Sequence, residues 1–304
     1  MSSTRPAHRA DWSGLTTSAD NAPIGLLGVP FDSAVSFRPG AAHAPASLRR
    51  YSQFMTPVTE EGRRLPSACI RDYGDVDRDL DWERFFGSVE AAAKTALRHP
   101  FALFIGGDHS VTIPLHRAFA ETVGSAAQPA PWGIIHIDAH TDLMDSYMGH
   151  KWSHACTARR ALELPGMSPE RLVFFGIRSY EEHELVFLEE NPSIGLYNAR
   201  WMHRNGIEAA AAEAIRRMTG VQHIYLTLDI DCLDPAYAPG TGTPEAGGLT
   251  TRDLIEFLRP LFAALPIRAM DVVEIAPPLD SSDITTVAAL KLLYEVFDWK
   301  TQQG

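Results

Sequence analysis

The 304-residue chain reads as an α/β protein built on a mainly parallel sheet. Three observations predict it. Short apolar runs of strand length recur along the whole chain. Longer segments with helical periodicity separate them, and that alternation is the pattern of parallel sheets. Several of the runs end in aspartate, histidine or glycine, and sites in such folds gather at strand C-termini. Composition agrees: 45% hydrophobic and 21% charged residues allow a large buried core. The net charge of −11 argues against a general nucleic-acid or anionic-membrane surface and is compatible with cationic substrates. No run approaches membrane-spanning length, and no charged-then-apolar leader opens the chain. Three cysteines (Cys69, Cys156, Cys232) cannot all pair internally, so a reducing, cytoplasmic setting is expected.

Taken in order, residues 1–22 are polar and aperiodic and read as an N-terminal arm over the surface, which leaves 23–304 as a single domain. The first strand is expected over 24–29, then a loop from Pro30 to Gly40 and a helix near 46–52. A strand at 69–73 leads into Asp75, Asp77, Asp79 and Asp81. That stretch lacks the glycine and distal glutamate of a calcium loop and reads as a solvated acidic loop. An alanine-rich helix over 88–98, a strand over 101–105 and a helix after His109 follow. The run 134–137 is the central strand. Helices at about 154–163 and 181–190 flank a strand at 172–177. A short strand at 194–197 precedes a helix over 206–218. Strand 223–229 enters a glycine- and proline-rich loop from Asp234 to Gly248. A helix over 250–265, with Thr250 as N-cap, leads to the last strand, 267–275, and the last helix, 283–299. Alternation alone does not separate an open sheet from a closed barrel. No internal repeat appears, and no break in composition marks a second domain.

The candidate chemistry sits at three strand ends. Residues 134–142 read Ile-Ile-His-Ile-Asp-Ala-His-Thr-Asp. Side chains two apart in extended chain share a face, so Asp138, His140 and Asp142 are expected to project together. Such groups repel unless a cation sits among them. The second run ends in Asp229 and Asp231 on one face, with Ile230 in the core. The third runs into Gly106-Gly107-Asp108-His109-Ser110, where the glycines permit a sharp exit and close backbone approach. Brought to one sheet edge, His109, Asp138, His140, Asp142, Asp229 and Asp231 make six ligands suited to divalent cations. Their four carboxylates balance two such ions, so a binuclear centre is the simplest reading. His136 shares a face with Asp138 but lies deeper and reads as a buried, hydrogen-bonded histidine. Cys232 reads as a small buried hydrophobe.

Gly-Gly-Asp-His-Ser at 106–110, Asp-Ala-His-Thr-Asp at 138–142 and Asp-Ile-Asp-Cys-Leu-Asp-Pro at 229–235 resemble the three metal motifs of the ureohydrolases, the family of arginases and agmatinases. The resemblance runs in family order from about Gly28 to about Phe297 and is strongest to the agmatinase branch. It implies the open, arginase-like α/β/α form with an eight-stranded sheet. It implies two divalent ions per chain, manganese by default with nickel as the alternative, and a homo-oligomer, trimer or hexamer. The Arg38-Pro39-Gly40 segment also matches, near the family's site mouth.

Two close cations can activate water to hydroxide near neutral pH. A guanidinium carbon is a poor electrophile, so attack on it needs an acceptor pair to hold the group and a proton for the departing amine. Glu274, in Asp271-Val-Val-Glu-Ile-Ala-Pro-Pro, can hold a guanidinium through paired hydrogen bonds and matches the substrate-orienting glutamate of agmatinases. His154 matches the cleft histidine to which the family assigns a proton shuttle. Asp142 is expected to serve both as a ligand and as hydrogen-bond acceptor for the nucleophile. Thr243 and Glu245, in Gly-Thr-Gly-Thr-Pro-Glu-Ala-Gly-Gly, match the family's substrate loop. Asp108 and Asp234 read as supports of neighbouring ligands, and Asp271 as structural, facing away. Arginases read an α-amino acid through a Ser-Gly-Asn-type segment that the stretch 145–152 lacks, which favours a decarboxylated substrate. The expected reaction converts agmatine to urea and putrescine. Ala155-Cys156 departs from the agmatinase Gly-Thr and points to another tail. A guanidino acid such as guanidinobutyrate, met by Lys151, Arg178 or His150, stays open. So do formimidoylglutamate, free guanidine, amide deacetylation on a related fold, and a non-catalytic metal-binding scaffold.

Overall fold

The computed structural model describes residues 11–124 and 128–302. Its strands are β1 (Ile24–Gly28), β2 (Ile70–Asp75), β3 (Phe101–Ile105), β4 (Gly133–Ile137), β5 (Leu172–Phe175), β6 (Gly195–Tyr197), β7 (Ile224–Asp229) and β8 (Ile267–Val273). They form one sheet in the order β2-β1-β3-β8-β7-β4-β5-β6, with every neighbouring pair parallel. Strands β2 and β6 are its edges and do not pair with each other, so the sheet is open rather than a barrel.

The α-helices are α1 (Ala44–Ser52), α2 (Trp82–Ala96), α3 (Thr112–Val123), α4 (Thr157–Ala161), α5 (Glu182–Glu190), α6 (Ala199–Asn205), α7 (Ile207–Met218), α8 (Thr251–Ala264) and α9 (Ile284–Thr301). Strand alternation divides the core between two faces. In β3, Phe101, Leu103 and Ile105 join one apolar cluster with Leu48 of α1, Ala214 of α7, Leu258 of α8 and Leu293 of α9. Ala102 and Phe104 join another with Phe85 of α2, Phe119 of α3 and Ala158 of α4. The result is three layers. Each wholly buried Phe or Leu contributes about 1.5–3 kcal/mol relative to exposure.

Strand order and register place the site. Ile105, Val272, Leu228 and Ile137 stand level across β3, β8, β7 and β4, the four central neighbours. The chain leaving those four strands carries His109, Glu274, Asp229 and Asp138 out at one edge.

The elements depart from expectation in several places. Residues 11–16 are not a loose surface arm: Trp12 is wholly buried. Its Nε1 donates to Asp72 Oδ2 at 2.8 Å, and it packs edge-on against Phe297. The first ten residues of the expected arm lie outside the described ones. Helix α2 starts at Trp82, six residues before the expected start, because Asp81 caps it by accepting from the Arg84 amide. The acidic run is solvated as expected, with Asp75, Asp77 and Asp81 exposed, and it carries surface ion pairs of Asp75 with Arg49 and Asp79 with Arg84. Helix α6 has no counterpart in the sequence reading; Asn198 caps it, and Gly206 at φ +89 separates it from α7. Thr250 caps α8 as expected. All three cysteines are buried and free. Among the described residues no helix is long and apolar enough to cross a membrane.

Candidate metal centre and substrate cavity

At the C-terminal edge of β3 the chain turns through Gly106-Gly107. A Cβ on Gly107 would fall 1.6 Å from the Phe31 carbonyl oxygen, so only glycine fits this close approach. The turn delivers His109, whose Nδ1 lies 3.1, 3.0 and 3.3 Å from carboxylate oxygens of Asp138, Asp142 and Asp229. Across the site His140 Nδ1 lies 3.1 Å from Asp231 Oδ2 and 3.5 Å from Asp138 Oδ1. Two groups of potential ligand atoms result, each with all atoms within 4.8 Å of one another. One comprises His109, His136, Asp138 and Asp142; the other comprises Asp138, His140 and Asp231. Asp138 belongs to both. Asp229 borders the first group, and His136 stands within it, buried, with Nε2 2.9 Å from Asp138 Oδ2.

The route to this arrangement differs from strand alternation. Strand β4 stops at Ile137, so Asp138, His140 and Asp142 lie beyond it. Asp142 converges because its backbone turns through φ +52. Asp231 likewise sits in a 3₁₀ turn, Ile230–Cys232, after β7. Glu274 leaves β8 at φ +60. Left-handed geometry costs a non-glycine residue about 1–3 kcal/mol, and such strain gathers at functional sites.

The electrostatics suit cations. Burial, with Asp231 and Asp138 alongside, pushes the Asp229 carboxyl well above its usual range. Burial alone would lower His140, yet Asp231 and Asp138 push it up to about 12. His109 Nδ1, Asp142 Oδ2 and Asp231 Oδ2 are buried and make no hydrogen bond, although each faces oppositely charged or ligand-type neighbours. Orphaned atoms of this kind in a set of oxygens and imidazoles fit a pair of divalent ions.

Above the ligands lies a cavity of about 170 Å³, lined by His109, His140, Asp142, Asp229, His154 and Thr243 among others. That is smaller than the ~300–1,000 Å³ typical of drug-sized ligands and suits a compact substrate. Glu274 is buried and is not among the lining residues; it stands directly behind two of them, its Oε1 accepting from the His109 amide at 2.8 Å and lying 3.8 Å from His154 Nδ1. Burial, with Asp108 nearby, pushes its carboxyl well above the usual range. Burial also holds His154 below its usual value, with Asp142 opposing. Asp108 accepts from the amides of Ala34 and Ser110, tying the Pro30 loop to the His109 turn. Asp234 accepts from Ala236, Gly247 and Gly248 and fixes the long loop.

Other expected residues stand apart. Glu245 does not line the cavity; its carbonyl oxygen accepts from Arg178. Arg178 is not available to a substrate carboxylate, because its guanidinium donates to the carbonyls of Gly176, Asp231, Cys232, Leu233 and Glu245. His150 packs against Trp82 and Trp152, and Lys151 lies over Trp152; neither lines the cavity. Asp271 does not face away: it lies behind His109, joined to it through Thr227.

Several cavity residues belong to none of the three motifs. Tyr147 stands edge-on to His154 at 6.1 Å, and Ser179, Tyr180, Glu181 and Glu184 complete a wall. All four wall residues follow β5, so the strand-end rule was the signal available for them. Glu184 accepts from the amides of Leu143 and Glu181, holding the loop after Asp142.

The family model described as "Arginase family" matches residues 22–298. The chain belongs to the arginase family. As an arginase-family ureohydrolase it is a hydrolase, and its relatives cover nearly all of it. It is 35% identical to the guanidinopropionase of Pseudomonas aeruginosa over 286 residues, 90% of this chain and 85% of that protein. It is 37% identical to the agmatinase of Edwardsiella ictaluri over 280 residues, 89% of this chain and 86% of that protein. The agmatine ureohydrolase structure from Thermoplasma volcanium superposes with a TM-score of 0.83 at 29% identity, covering 96% of this chain and 94% of that one. Arginase-family membership accounts for the paired ligand clusters, which could hold a binuclear centre.

Proposed function

We propose that this arginase-family ureohydrolase hydrolyses agmatine to urea and putrescine. One observation carries the choice of tail: among the described residues no lysine or arginine lines the cavity, while its wall presents Glu181 and the rings of Tyr147 and Tyr180. An ammonium tail there has a carboxylate and two aromatic rings as neighbours. A carboxylate tail meets no cation, and an unpaired buried charge costs several kcal/mol. The same argument disfavours arginine, whose α-carboxylate would pass Tyr147 rather than an amide side chain.

His109, Asp138, His140, Asp142, Asp229 and Asp231 would hold two divalent ions, manganese by default for so oxygen-rich a set and nickel as the alternative. Ions bound there would supply a strongly acidified water as nucleophile. Glu274 receives the guanidinium: its buried carboxyl, raised by burial, gains the positive partner that stabilises its charge. Hydrolysis forms a C–O bond to the guanidinium carbon and breaks the C–N bond to the tail. The departing nitrogen needs the proton that the water gives up. His154, neutral at pH 7 because its pKa is lowered, can take that proton and deliver it. Asp142 accepts a hydrogen bond from the attacking water and keeps it aligned. We further propose a cytoplasmic homo-oligomer of this chain.

The relation to guanidinopropionase supports a second reading, a guanidino acid as substrate. Urea release from agmatine, 3-guanidinopropionate, 4-guanidinobutyrate and arginine, measured with manganese-loaded enzyme, decides between them. Agmatine is expected to have the highest kcat/KM, by about 100-fold or more over the acids, equivalent to ~2.7 kcal/mol. A guanidino acid in first place would refute the ammonium-tail reading and leave the ureohydrolase assignment intact.

A further inference from the structure

Behind His109 lies a buried group of hydrogen bonds that the reaction itself does not use. Thr227 of β7 and Asp271 of β8 face each other in register, so their side chains share one face of the sheet. Thr227 Oγ1 donates to Asp271 Oδ1 at 2.6 Å and lies 2.8 Å from His109 Nε2. Asp271 Oδ2 accepts from Thr112 Oγ1 at 2.7 Å and from the Tyr225 hydroxyl at 2.8 Å. Thr112, Tyr225, Thr227 and Asp271 are wholly buried.

The hydrogen count decides the direction. An ionised carboxylate only accepts, and each hydroxyl carries one hydrogen. Three hydroxyls converge on Asp271, so the hydrogen of Thr227 is committed to it. The Thr227 oxygen can then only accept from His109, which puts the imidazole hydrogen on Nε2. Nδ1 is left with its lone pair, and Nδ1 is the atom 3.0–3.3 Å from the oxygens of Asp142, Asp138 and Asp229. We infer that Asp271, acting through Thr227, is a positioning residue that fixes the tautomer and ring orientation of His109, so that its Nδ1 lone pair is aimed at a divalent cation. With the opposite tautomer an N–H would point into the ligand cluster and repel the ion. The inference rests on His109 being a metal ligand, as proposed above.

The test uses full-length protein stripped of metal, confirmed folded by circular dichroism, and titrated with manganese by calorimetry. Thr227→Val keeps the shape of the side chain and removes the relay. It is expected to weaken one of two binding events about 10–100-fold and to leave the other unchanged. Thr227→Ser restores the hydroxyl and is expected to restore affinity, which a purely packing role would not do. In metal-free wild-type protein, at a pH alkaline enough that the carboxylates around Nδ1 no longer keep the ring protonated, ¹⁵N imidazole spectra should show His109 hydrogenated at Nε2; in Thr227→Val that preference should be lost. Asp271→Asn should match Thr227→Val if it folds. His109→Ala is the control for the premise. If it binds both ions normally, the ligand assignment fails. If it loses one ion while Thr227→Val binds both with wild-type affinity, or if wild-type His109 carries its hydrogen on Nδ1, the positioning role fails alone.

Discussion

Asp142 carries both a proposed ligand role and an unfavourable backbone, and the two can be separated. Its φ of +52 lies in the left-handed region, and its carbonyl oxygen is pinned there by the amides of Ala158 and Arg159 at the start of α4. A residue with a Cβ pays about 1–2 kcal/mol in this region. Glycine avoids that cost but loses about 0.5–1 kcal/mol more chain entropy on folding. Comparing Asp142→Gly with Asp142→Ala removes the carboxylate from both, along with its repulsion against Asp138 and Asp229. What remains is strain against entropy, so the glycine variant should be the more stable by roughly 0.5–1 kcal/mol. In a chain of this size that is a melting-temperature difference of about 1–4 °C. The assay is thermal and urea unfolding of both variants in excess chelator, with urea release recorded in parallel after manganese loading. Both should be nearly inactive. An alanine variant as stable as the glycine variant, or more so, would refute the claim that this geometry is strained and retained for function.

Glu274→Gln keeps size and loses charge. Metal content should stay near wild type while kcat/KM falls about 100-fold, ~2.7 kcal/mol of transition-state stabilisation; metal loss with normal kinetics after reloading would place Glu274 among the ligands instead. His116 is buried against Trp132 and Tyr225, and burial holds its pKa well below 6.5. The folded protein therefore refuses a proton that the unfolded chain takes up below pH 6.5. Stability from this group is complete above that pH and is lost, at up to ~1.4 kcal/mol per pH unit, as pH falls toward the folded value. In urea titrations at several pH values, His116→Phe should lose less stability than wild type between pH 6.5 and 5; parallel curves would show that His116 is not the group responsible. Trp12→Ala should cost about 3–5 kcal/mol, as expected for a buried aromatic, whereas a surface-arm residue would cost under ~0.5 kcal/mol.

His109, Asp138 and Asp229 were legible from sequence because each follows a short apolar run, and parallel strands in register bring such ends level. The open sheet was not legible from alternation; it came with the resemblance, and the separate edge strands β2 and β6, which do not pair with each other, bear it out. Asp271 was misread by counting alternation back from Glu274. The chain turns into the left-handed region at Glu274, so parity does not extend past Val273. Trp12 was hidden because a single aromatic among polar residues has no period, and its burial depends on α1 and α9 arriving from far along the chain. Arg178 looked free because carbonyl acceptors leave no mark in a sequence. The cavity wall after β5 was missed because Ser179, Tyr180 and Glu181 match no metal motif, although their place at a strand end marks them as candidates.

Metal stoichiometry tests the centre itself most directly. Full-length protein, stripped and then saturated with manganese, should bind two equivalents per chain by elemental analysis after removal of excess ion. Urea release from agmatine should rise with the second equivalent. A stable plateau at one equivalent with full activity would contradict a binuclear centre built on a shared Asp138.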